Sequence, residues 1–226
     1  MGQKMDHGAG LTAKQKQFLG VVLQESYFLK NFYLSSGTAL SCWYLHHRKS
    51  YDLDFFSEKF EVNANYIEKL LKKNKKQIGF KNVTHTEQLG FHFYNFAYPN
   101  KETLKVDFSY YPSERAEKSL LWRRLQIDSL YDITLNKWQT ISGTPRAKDY
   151  VDFFYISKKV NLDINKIRTD AAIKFGIHID TIHLSRQFLR VVEFKDYPKM
   201  LVPFDPKEME EFFLSLAKGL EKEIFK

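Results

Sequence analysis

The chain of 226 residues is 43% hydrophobic, enough for one large domain or two small ones with real cores. Its formal net charge of +8 and pI of about 9.3 favour contact with polyanions. A single cysteine excludes an intrachain disulfide, and no apolar run reaches the roughly 18 residues of a membrane-spanning helix. We therefore expect a cytoplasmic protein with no membrane partner, in which the Gly-rich residues 1–10 form a disordered tail or a cloning remnant.

The first predicted elements are an amphipathic helix and a polar turn. Apolar residues recur at helical spacing from Thr12 to about Phe32. Ser36, Gly37 and Thr38 then form a tight turn before a short helix. Free backbone N–H groups, the positive end of the helix dipole and the hydroxyls can hold a phosphate there. Taken alone, such a turn is more often a simple helix cap.

A strand that carries two carboxylates is predicted next. The apolar residues Tyr51, Leu53 and Phe55 alternate with Asp52 and Asp54, which places both carboxylates on one face and the apolar groups toward the core. Adjacent like charges are tolerated where a divalent cation lies between them, and carboxylate oxygens favour Mg²⁺ or Mn²⁺. By itself, an Asp-x-Asp pair on a strand is more often a solvated face.

A helix with a basic flank is predicted from Asn63 to about Asn74. Its apolar residues share one face, and lysines surround the other side and the end: Lys69, Lys72, Lys73, Lys75 and Lys76. Any one of them is more simply a solvated residue near a helix C-terminus. As a cluster they predict contact with a nucleic-acid backbone.

A β-hairpin closed by a Pro-Asn turn is predicted over residues 90–110. On its second strand Lys105, Asp107 and Ser109 share a face. A third carboxylate on a strand that follows the Asp-x-Asp strand is what a two-metal transfer site requires. The alternative is a strand-face aspartate that is paired with Lys105.

The hydrophobic period changes near residue 128. One more strand is predicted over residues 120–127, and the pattern is helical from there onward. We therefore predict an α/β core over residues 11–128 and a helical C-terminal domain over residues 129–226.

The residues from Ser36 to Leu40 and from His47 to Phe56 resemble the nucleotidyltransferases of the AbiEii/AbiGii toxin family. In that family a Gly-Gly/Ser-Thr-Ala-Leu turn precedes a His-Arg-x-Ser-x-Asp-Leu-Asp-Phe strand. Ser36 stands where the family often has its first glycine, and it would be strained there if the position needs a positive φ. The match resumes at residues 132–137 and 148–152, with a lysine at 148 where arginine is common.

The resemblance implies an α+β fold. Its core would be a polymerase-beta-like nucleotidyltransferase core, with a small mixed or antiparallel sheet and flanking helices, followed by a helical C-terminal half. In the wider fold a Lys-x-Asp strand carries the third acid, which supports Asp107. The resemblance also makes Lys137 a charge for the triphosphate and Asp149 the residue that orients it. Without it, an exposed helix lysine and a capping aspartate are the simpler interpretations.

The implied activity is the transfer of a nucleoside monophosphate from an NTP to an acceptor hydroxyl, with release of pyrophosphate. Asp52, Asp54 and Asp107 are the predicted catalytic residues and metal ligands. The predicted nucleotide- and phosphate-binding residues are Ser36, Gly37, Thr38, Arg48, Lys137 and Asp149. For Arg48 a helix C-terminal charge is the simpler alternative. The implied acceptor is RNA, specifically the 3′ end of tRNA, and the implied protein partner is a cognate antitoxin.

Two other classes stay open. A small-molecule nucleotidyltransferase of the antibiotic-modifying kind would share the acids and the turn, but it predicts a deep, neutral-to-acidic acceptor pocket and no need for the lysine cluster. A non-catalytic nucleotide- or RNA-binding module predicts nucleotide binding that survives Asp54→Asn, with no product formed.

Overall fold

The computed structural model describes residues 8–224, and these form two compact units. Of the described residues, the first unit comprises 8–44, 50–114 and 118–129, and the second comprises 45–49, 115–117 and 130–224. The tail predicted at residues 1–10 lies outside the described residues as far as residue 7. Residues 8–10 form a turn in which the Gly8 N–H donates to the Cys42 carbonyl at 3.0 Å.

The first unit combines short helices with a sheet. In chain order its elements are α1 (Ala13–Val22), α2 (Ser26–Asn31), β1 (Tyr33–Ser35), α3 (Ser36–Ala39), a π-helical segment (Leu40–Leu45), β2 (Leu53–Ser57), α4 (Ala64–Lys73), α5 (Lys75–Ile78), β3 (Asn82–Gln88), β4 (Phe91–Ala97), β5 (Thr103–Tyr110), β6 (Leu120–Trp122) and β7 (Leu125–Ile127). The single helix predicted from Thr12 to about Phe32 is wrong in one respect, because the chain breaks at residues 23–25 and forms two helices. Both helices bury apolar residues in one core, so the apolar spacing continues across the break.

Seven strands form one mixed sheet in the order β3-β4-β5-β2-β1-β7-β6. The β2/β5 and β1/β7 pairs are parallel, and the other four pairs are antiparallel. The predicted hairpin over residues 90–110 is confirmed as β4 and β5. The predicted mixed sheet with flanking helices is confirmed as well.

Three details of the sheet differ from the prediction. β3 was missed because it is an edge strand and most of its side chains are exposed, which leaves little apolar alternation to read. The strand predicted over residues 120–127 is a tight hairpin of β6 and β7, with Arg123 at a φ of +57° between them. Tyr51 is 54% exposed rather than in the core, because the chain enters the sheet only at Leu53.

Alternation along the strands gives the sheet two distinct faces. One face is apolar, and its Phe55 and Phe108 rings stack with centroids 5.1 Å apart. Phe18 of α1 packs against Phe55 on that face. Asp54 and Asp107, one position away on β2 and β5, therefore point to the opposite face.

The second unit is helical, as its apolar spacing predicts. Its helices are α6 (Leu130–Ser142), α7 (Ala147–Lys159), α8 (Ile164–Phe175), α9 (Thr181–Leu189), a 3₁₀ segment (Arg190–Glu193) and α10 (Pro206–Ile224). Its core includes Trp138, Tyr150, Phe153, Phe188 and Phe213. None of the helices in residues 8–224 is long and apolar enough to cross a membrane.

A short backbone pairing joins two distant segments within the second unit. The Lys49 N–H donates to the Lys199 carbonyl, and the Leu201 N–H donates to the His47 carbonyl, both at 2.8 Å. Residues 47–49 are thereby fixed next to the segment that precedes α10.

Candidate active site

Asp54 and Asp107 are brought together by the sheet. They are register partners on the parallel strands β2 and β5, so their side chains leave the same face of strands that lie about 4.8 Å apart. Ser35 at the end of β1 is the register partner of Asp54 on its other side. Asp107 is 8% exposed, whereas Asp54 is half-buried. Two carboxylates on one face of the sheet concentrate negative charge, and a cation is the natural counterpart of that charge.

Asp52 lies just before β2 and is connected to the phosphate turn through its backbone. The Thr38 hydroxyl donates to the Asp52 carbonyl. The buried Gln15 side chain donates to the same carbonyl at 3.2 Å and to the Ser50 carbonyl at 3.1 Å. These bonds hold the chain before β2 against the start of α3, so the structure brings Asp52 and Thr38 together.

The turn itself opens a helix whose first residue has a left-handed backbone. Ser36 has a φ of +65°, and Gly37 and Thr38 are buried behind it. The helix continues through α3 into the π-helical segment. Its first backbone N–H groups lack partners within the helix, which is the arrangement that binds phosphate.

Asp128, which follows β7 directly, supports the turn although it was not among the predicted site residues. It is fully buried, and its Oδ2 accepts a hydrogen bond from the Ser35 hydroxyl at 2.6 Å. The Asp128 N–H donates to the Leu34 carbonyl, and its own carbonyl accepts from the Tyr44 hydroxyl. Asp128 therefore fixes the end of β1, immediately before the turn. A buried acid at the end of a predicted strand was the available signal.

Lys105 lies beside the third acid. Its Nζ is 2.6 Å from Asp107 Oδ2 and 5.0 Å from the centroid of the Phe93 ring. The pairing that was considered as the alternative for Asp107 is thus present in the structure. Among residues 8–224, no group of three or more His, Cys, Asp or Glu side chains is arranged to hold a metal ion.

Arg48, Lys137 and Asp149 come together in the second unit around Asp152. Arg48 forms a two-point contact with Asp152, Nε to Oδ1 at 2.6 Å and Nη2 to Oδ2 at 2.8 Å. Lys137 Nζ is 2.6 Å from Asp152 Oδ2 and 2.7 Å from Asp149 Oδ1. His47 Nε2 completes the cluster at 2.9 Å from Asp152 Oδ1. We call these five buried side chains the Asp152 cluster.

Secondary structure explains how the Asp152 cluster forms. Asp149 and Asp152 are three residues apart on α7 and therefore share one face of that helix. Lys137 projects from α6, which packs against α7. Asp149 also accepts the Arg146 N–H at 3.1 Å and so caps the helix on which it lies.

The charges of this cluster stabilise one another. Burial alone would raise the pKa of Asp152, but the neighbouring Arg48 and Lys137 cations outweigh burial and hold that pKa well below its usual value. Burial alone would lower the pKa of Lys137. The negative charges of Asp152 and Asp149 outweigh the effect of burial and raise that pKa above its usual value. Burial lowers the pKa of His47 despite its bond to Asp152. The cluster therefore contains charged carboxylates, a charged lysine and a neutral histidine at neutral pH.

Comparison with known proteins agrees with this fold. The profile of the family described as "Nucleotidyl transferase AbiEii toxin, Type IV TA system" matches residues 17–220. JHP933 from Helicobacter pylori has a similar structure, with a TM-score of 0.58 and 20% identity over 93% of this chain and 91% of that chain. MenT4, a nucleotidyltransferase toxin from Mycobacterium tuberculosis, gives a TM-score of 0.59 and 13% identity over 95% of this chain and 87% of that chain. No curated protein sequence matches significantly.

The mixed sheet and its similarity to these structures define a nucleotidyltransferase fold, and the protein is a nucleotidyltransferase. Because the family profile spans nearly all of the sequence, the chain belongs to the AbiEii nucleotidyltransferase toxin family of type IV toxin–antitoxin systems. The predicted family, fold class and enzyme class are confirmed. Membership also points to a nucleotide substrate and an antitoxin partner.

Proposed function

We propose that this protein transfers a nucleoside monophosphate from an NTP to a hydroxyl of RNA, with Mg²⁺ as its metal and the 3′ end of tRNA as acceptor. The observation that carries the proposal is the register pairing of Asp54 with Asp107, in the same unit as a helix N-terminus that is tied to Asp52. The toxin family supports growth arrest as the outcome and a cognate antitoxin protein as the partner.

Asp54 and Asp107 would hold the metal, and Asp52, which lies just before β2, would join them once the metal is bound. Their oxygen donors suit Mg²⁺, and two of the three come from register partners on adjacent strands. Lys105 balances the charge of Asp107, and because its side chain is 39% exposed, it can move into solvent. When bound, Mg²⁺ neutralises phosphate charge and stabilises the entering and leaving oxygens.

The remaining steps belong to the protein and its substrates. The N–H groups of the turn at Ser36, Gly37 and Thr38 hold the β- and γ-phosphates. The acceptor hydroxyl gives its proton to the Asp107 carboxylate, and its oxygen bonds to the α-phosphorus. The bond from the α-phosphorus to the bridging oxygen of the β-phosphate breaks, and pyrophosphate leaves.

We also propose Arg48, Lys137 and Asp149 as residues that handle the triphosphate. Asp149 and Asp152 keep Lys137 charged, and the four-carbon stem of the lysine allows Nζ to exchange a carboxylate partner for a phosphate oxygen. Asp152 fixes the plane of the buried Arg48 guanidinium at two points and pairs with Lys137 through the same carboxylate.

The test is a transfer assay with purified protein, Mg²⁺, each labelled NTP in turn and total tRNA. We expect label on tRNA from at least one NTP, and a loss of roughly 100-fold or more with Asp54→Asn. Asp163→Asn is the matched control, because Asp163 is an exposed cap of α8 and asparagine caps a helix equally well.

Three results would be informative against the proposal. No label on tRNA from any NTP would exclude tRNA as acceptor, and small-molecule hydroxyls would be tested next. Equal labelling by the Asp54→Asn protein would contradict the role of the acid pair. Growth arrest on expression of both the unsubstituted and the Asp54→Asn chain would mean that toxicity does not depend on nucleotide transfer.

A further inference from the structure

Positive charge is concentrated in one short segment of the first unit. Residues 66–83 contain six lysines and one glutamate, a net charge of +5 within a chain whose total is +8. Most of α4, all of α5 and the start of β3 lie in this segment. A charge bias of this kind attracts polyanions to one place on the surface rather than to the molecule as a whole.

The same segment forms a groove of about 470 Å³, which we call the lysine groove. Lys72, Lys75 and Lys81 line it, and Phe80 and Tyr94 are among the residues that form its apolar part. Charged groups beside an apolar, aromatic floor are the combination with which proteins hold single-stranded nucleic acids.

Few carboxylates within the protein neutralise the positive charges of the three groove lysines. Lys81 has no carboxylate partner among the described residues, and Lys75 Nζ lies 5.5 Å from the centroid of the Phe80 ring. Lys72 is 3.9 Å from Glu68, and because its side chain is 80% exposed, this pair contributes little. Lys73, by contrast, is 2.8 Å from Glu25. Glu68 also lines the groove, so three lysines stand against one carboxylate and the excess positive charge favours binding of an external anion.

Tyr94 adds a polar group to the floor of the groove. Its ring is 1% exposed, it stacks on His85 with centroids 4.4 Å apart, and its hydroxyl has no hydrogen-bond partner in the described part of the chain. Burial raises the pKa of Tyr94, so the hydroxyl stays protonated and remains a donor. A buried donor without an acceptor is unfavourable, and a phosphate or sugar oxygen that reached the floor would satisfy it.

The lysine groove is separate from the acid pair. His85 is the register partner of Tyr94, and Tyr94 is the register partner of Val106, whereas Asp107 is paired with Phe93. Because successive residues point to opposite faces, the groove and the acids lie on opposite faces of the sheet. Asn82, Val83 and His85 of the edge strand β3 are among the residues that line the groove.

We propose that the lysine groove holds the phosphodiester backbone of the RNA acceptor, away from the nucleotide that reacts. Lysines are flexible point charges that suit contacts with phosphates in any sequence, and lysines beside an apolar, aromatic floor suit a single strand, whose bases can lie on that floor, better than the face of a folded acidic protein. The assignment of the bound RNA as the acceptor rests on the proposed function; the binding itself does not.

The test measures RNA binding without catalysis. A labelled single-stranded RNA of about 20 nucleotides is titrated with protein in EDTA without NTP, and its fluorescence anisotropy is followed at several salt concentrations. For Lys72→Gln/Lys75→Gln/Lys81→Gln we expect the slope of log affinity against log salt to fall by about 2, and the affinity at 0.1 M salt to fall roughly 100-fold.

A second triple variant removes the same number of charges elsewhere. Lys73→Gln/Lys207→Gln/Lys218→Gln changes one lysine that is paired with Glu25 and two that are exposed on α10. We expect its RNA affinity to stay within about threefold of the unsubstituted protein, because none of these three lysines lines the groove and Lys73 is already paired with Glu25. All six lysines are exposed, and thermal melting checks that both variants fold.

Several results would overturn the proposal. Equal weakening by the two triple variants would mean that net charge alone attracts RNA, and unchanged binding by the groove variant would exclude the groove. Binding of a poly-glutamate peptide that needs the groove lysines, with no RNA binding, would assign the surface to an acidic protein instead.

The transfer assay keeps this proposal separate from the proposed function. If RNA binding needs the groove lysines but no NTP labels RNA, the proposed transfer activity is wrong and RNA binding by the groove is supported. If RNA is labelled and the groove variant has an unchanged KM for RNA, the groove does not bind the acceptor and the proposed transfer activity is supported.

Discussion

Ser36 has a backbone conformation that an L-residue adopts at a cost. Its φ of +65° lies in the left-handed region, where a side chain costs roughly 1–2 kcal/mol. Ser36→Gly removes that cost, and the greater freedom of glycine in the unfolded chain offsets part of the gain. We expect the free energy of unfolding from urea denaturation to rise by about 0.5–1 kcal/mol.

The same substitution at a right-handed position is the control. Ser215 is exposed within α10, and Ser215→Gly should lower the free energy of unfolding by about 0.5 kcal/mol, because glycine is a poor helix former. If Ser36→Gly destabilised the protein as much as Ser215→Gly does, the turn would not be strained.

The sequence allowed some of these residue-scale features to be predicted and hid others. A period of two is enough to place Asp54 opposite the apolar Leu53 and Phe55 of β2, and the missing glycine made Ser36 a candidate for strain. The register that sets Asp54 beside Asp107 was not predictable, because it depends on β5 pairing with a strand about 50 residues earlier in the chain. Nor did spacing show that Asp152 receives Arg48, which lies 104 residues away.

At the scale of elements, the Asp152 cluster holds α6 and α7 to residues 47 and 48. Asp152→Asn would remove the charged carboxylate that buried Arg48 contacts at two points, and it would leave buried Lys137 with Asp149. Removing one partner of a buried ionic cluster leaves charge uncompensated, and we expect the free energy of unfolding to fall by about 3–5 kcal/mol in urea denaturation.

A surface ion pair provides the comparison for this loss. Lys158 is 2.7 Å from Glu208, and both side chains are largely exposed to solvent. Glu208→Gln should lower the free energy of unfolding by less than about 1 kcal/mol. Similar losses for Asp152→Asn and Glu208→Gln would show that the buried cluster contributes no more than a surface pair does.

His47 gives the cluster a pH dependence that can be measured separately. Burial lowers its pKa, so the folded protein keeps the ring neutral while the unfolded chain binds a proton below about pH 6.5. The free energy of unfolding therefore falls as the pH drops from 7 to 5. In the His47→Gln protein it should fall less steeply over that range. Asp152 does not interfere, because its lowered pKa makes its own contribution disappear only below about pH 4.

Denaturation at several pH values between 5 and 7 checks this prediction. His92, whose pKa burial also lowers, is present in both proteins and cancels from the difference between them. Parallel curves for the unsubstituted and His47→Gln proteins would mean that His47 is protonated equally in the folded and unfolded states.

For whole elements, the predictions succeeded where a helix or strand buries a face. The helices of the second unit and the β4–β5 hairpin follow from apolar spacing. β3 could not be found in this way, since an edge strand with exposed side chains has no apolar face to recognise. The break between α1 and α2 was hidden because both helices contribute apolar residues to the same core.

At the scale of the molecule, the two units are not continuous in sequence. The helical unit includes residues 45–49 and 115–117, which come from within the sequence of the sheet unit. Residues 47–49 pair with residues 199–201, and Arg48 reaches Asp152. The N–H groups of Ala116 and Glu117 donate to the buried carboxylate of Asp132 at 2.7 and 3.0 Å. Segments this short have no periodicity of their own, so the sequence showed only the change of pattern near residue 128.

Because the helical unit needs these two segments, we predict that residues 130–226 do not fold when expressed alone. The fragment would lose Arg48 and His47 from Asp152 and two donors from Asp132, although Lys174 would still be 2.7 Å from Asp132. Loss of Arg48 from buried Asp152 costs about 3–5 kcal/mol and each lost neutral donor about 1–3 kcal/mol, which together approaches the whole stability of a typical domain. We expect no near-ultraviolet circular dichroism from the core Trp138 and no cooperative melting. Residues 1–129 carry both inserted segments, 45–49 and 115–117, so coexpression with them should restore a folded, copurifying pair. Cooperative unfolding of the fragment alone would show that these segments are dispensable.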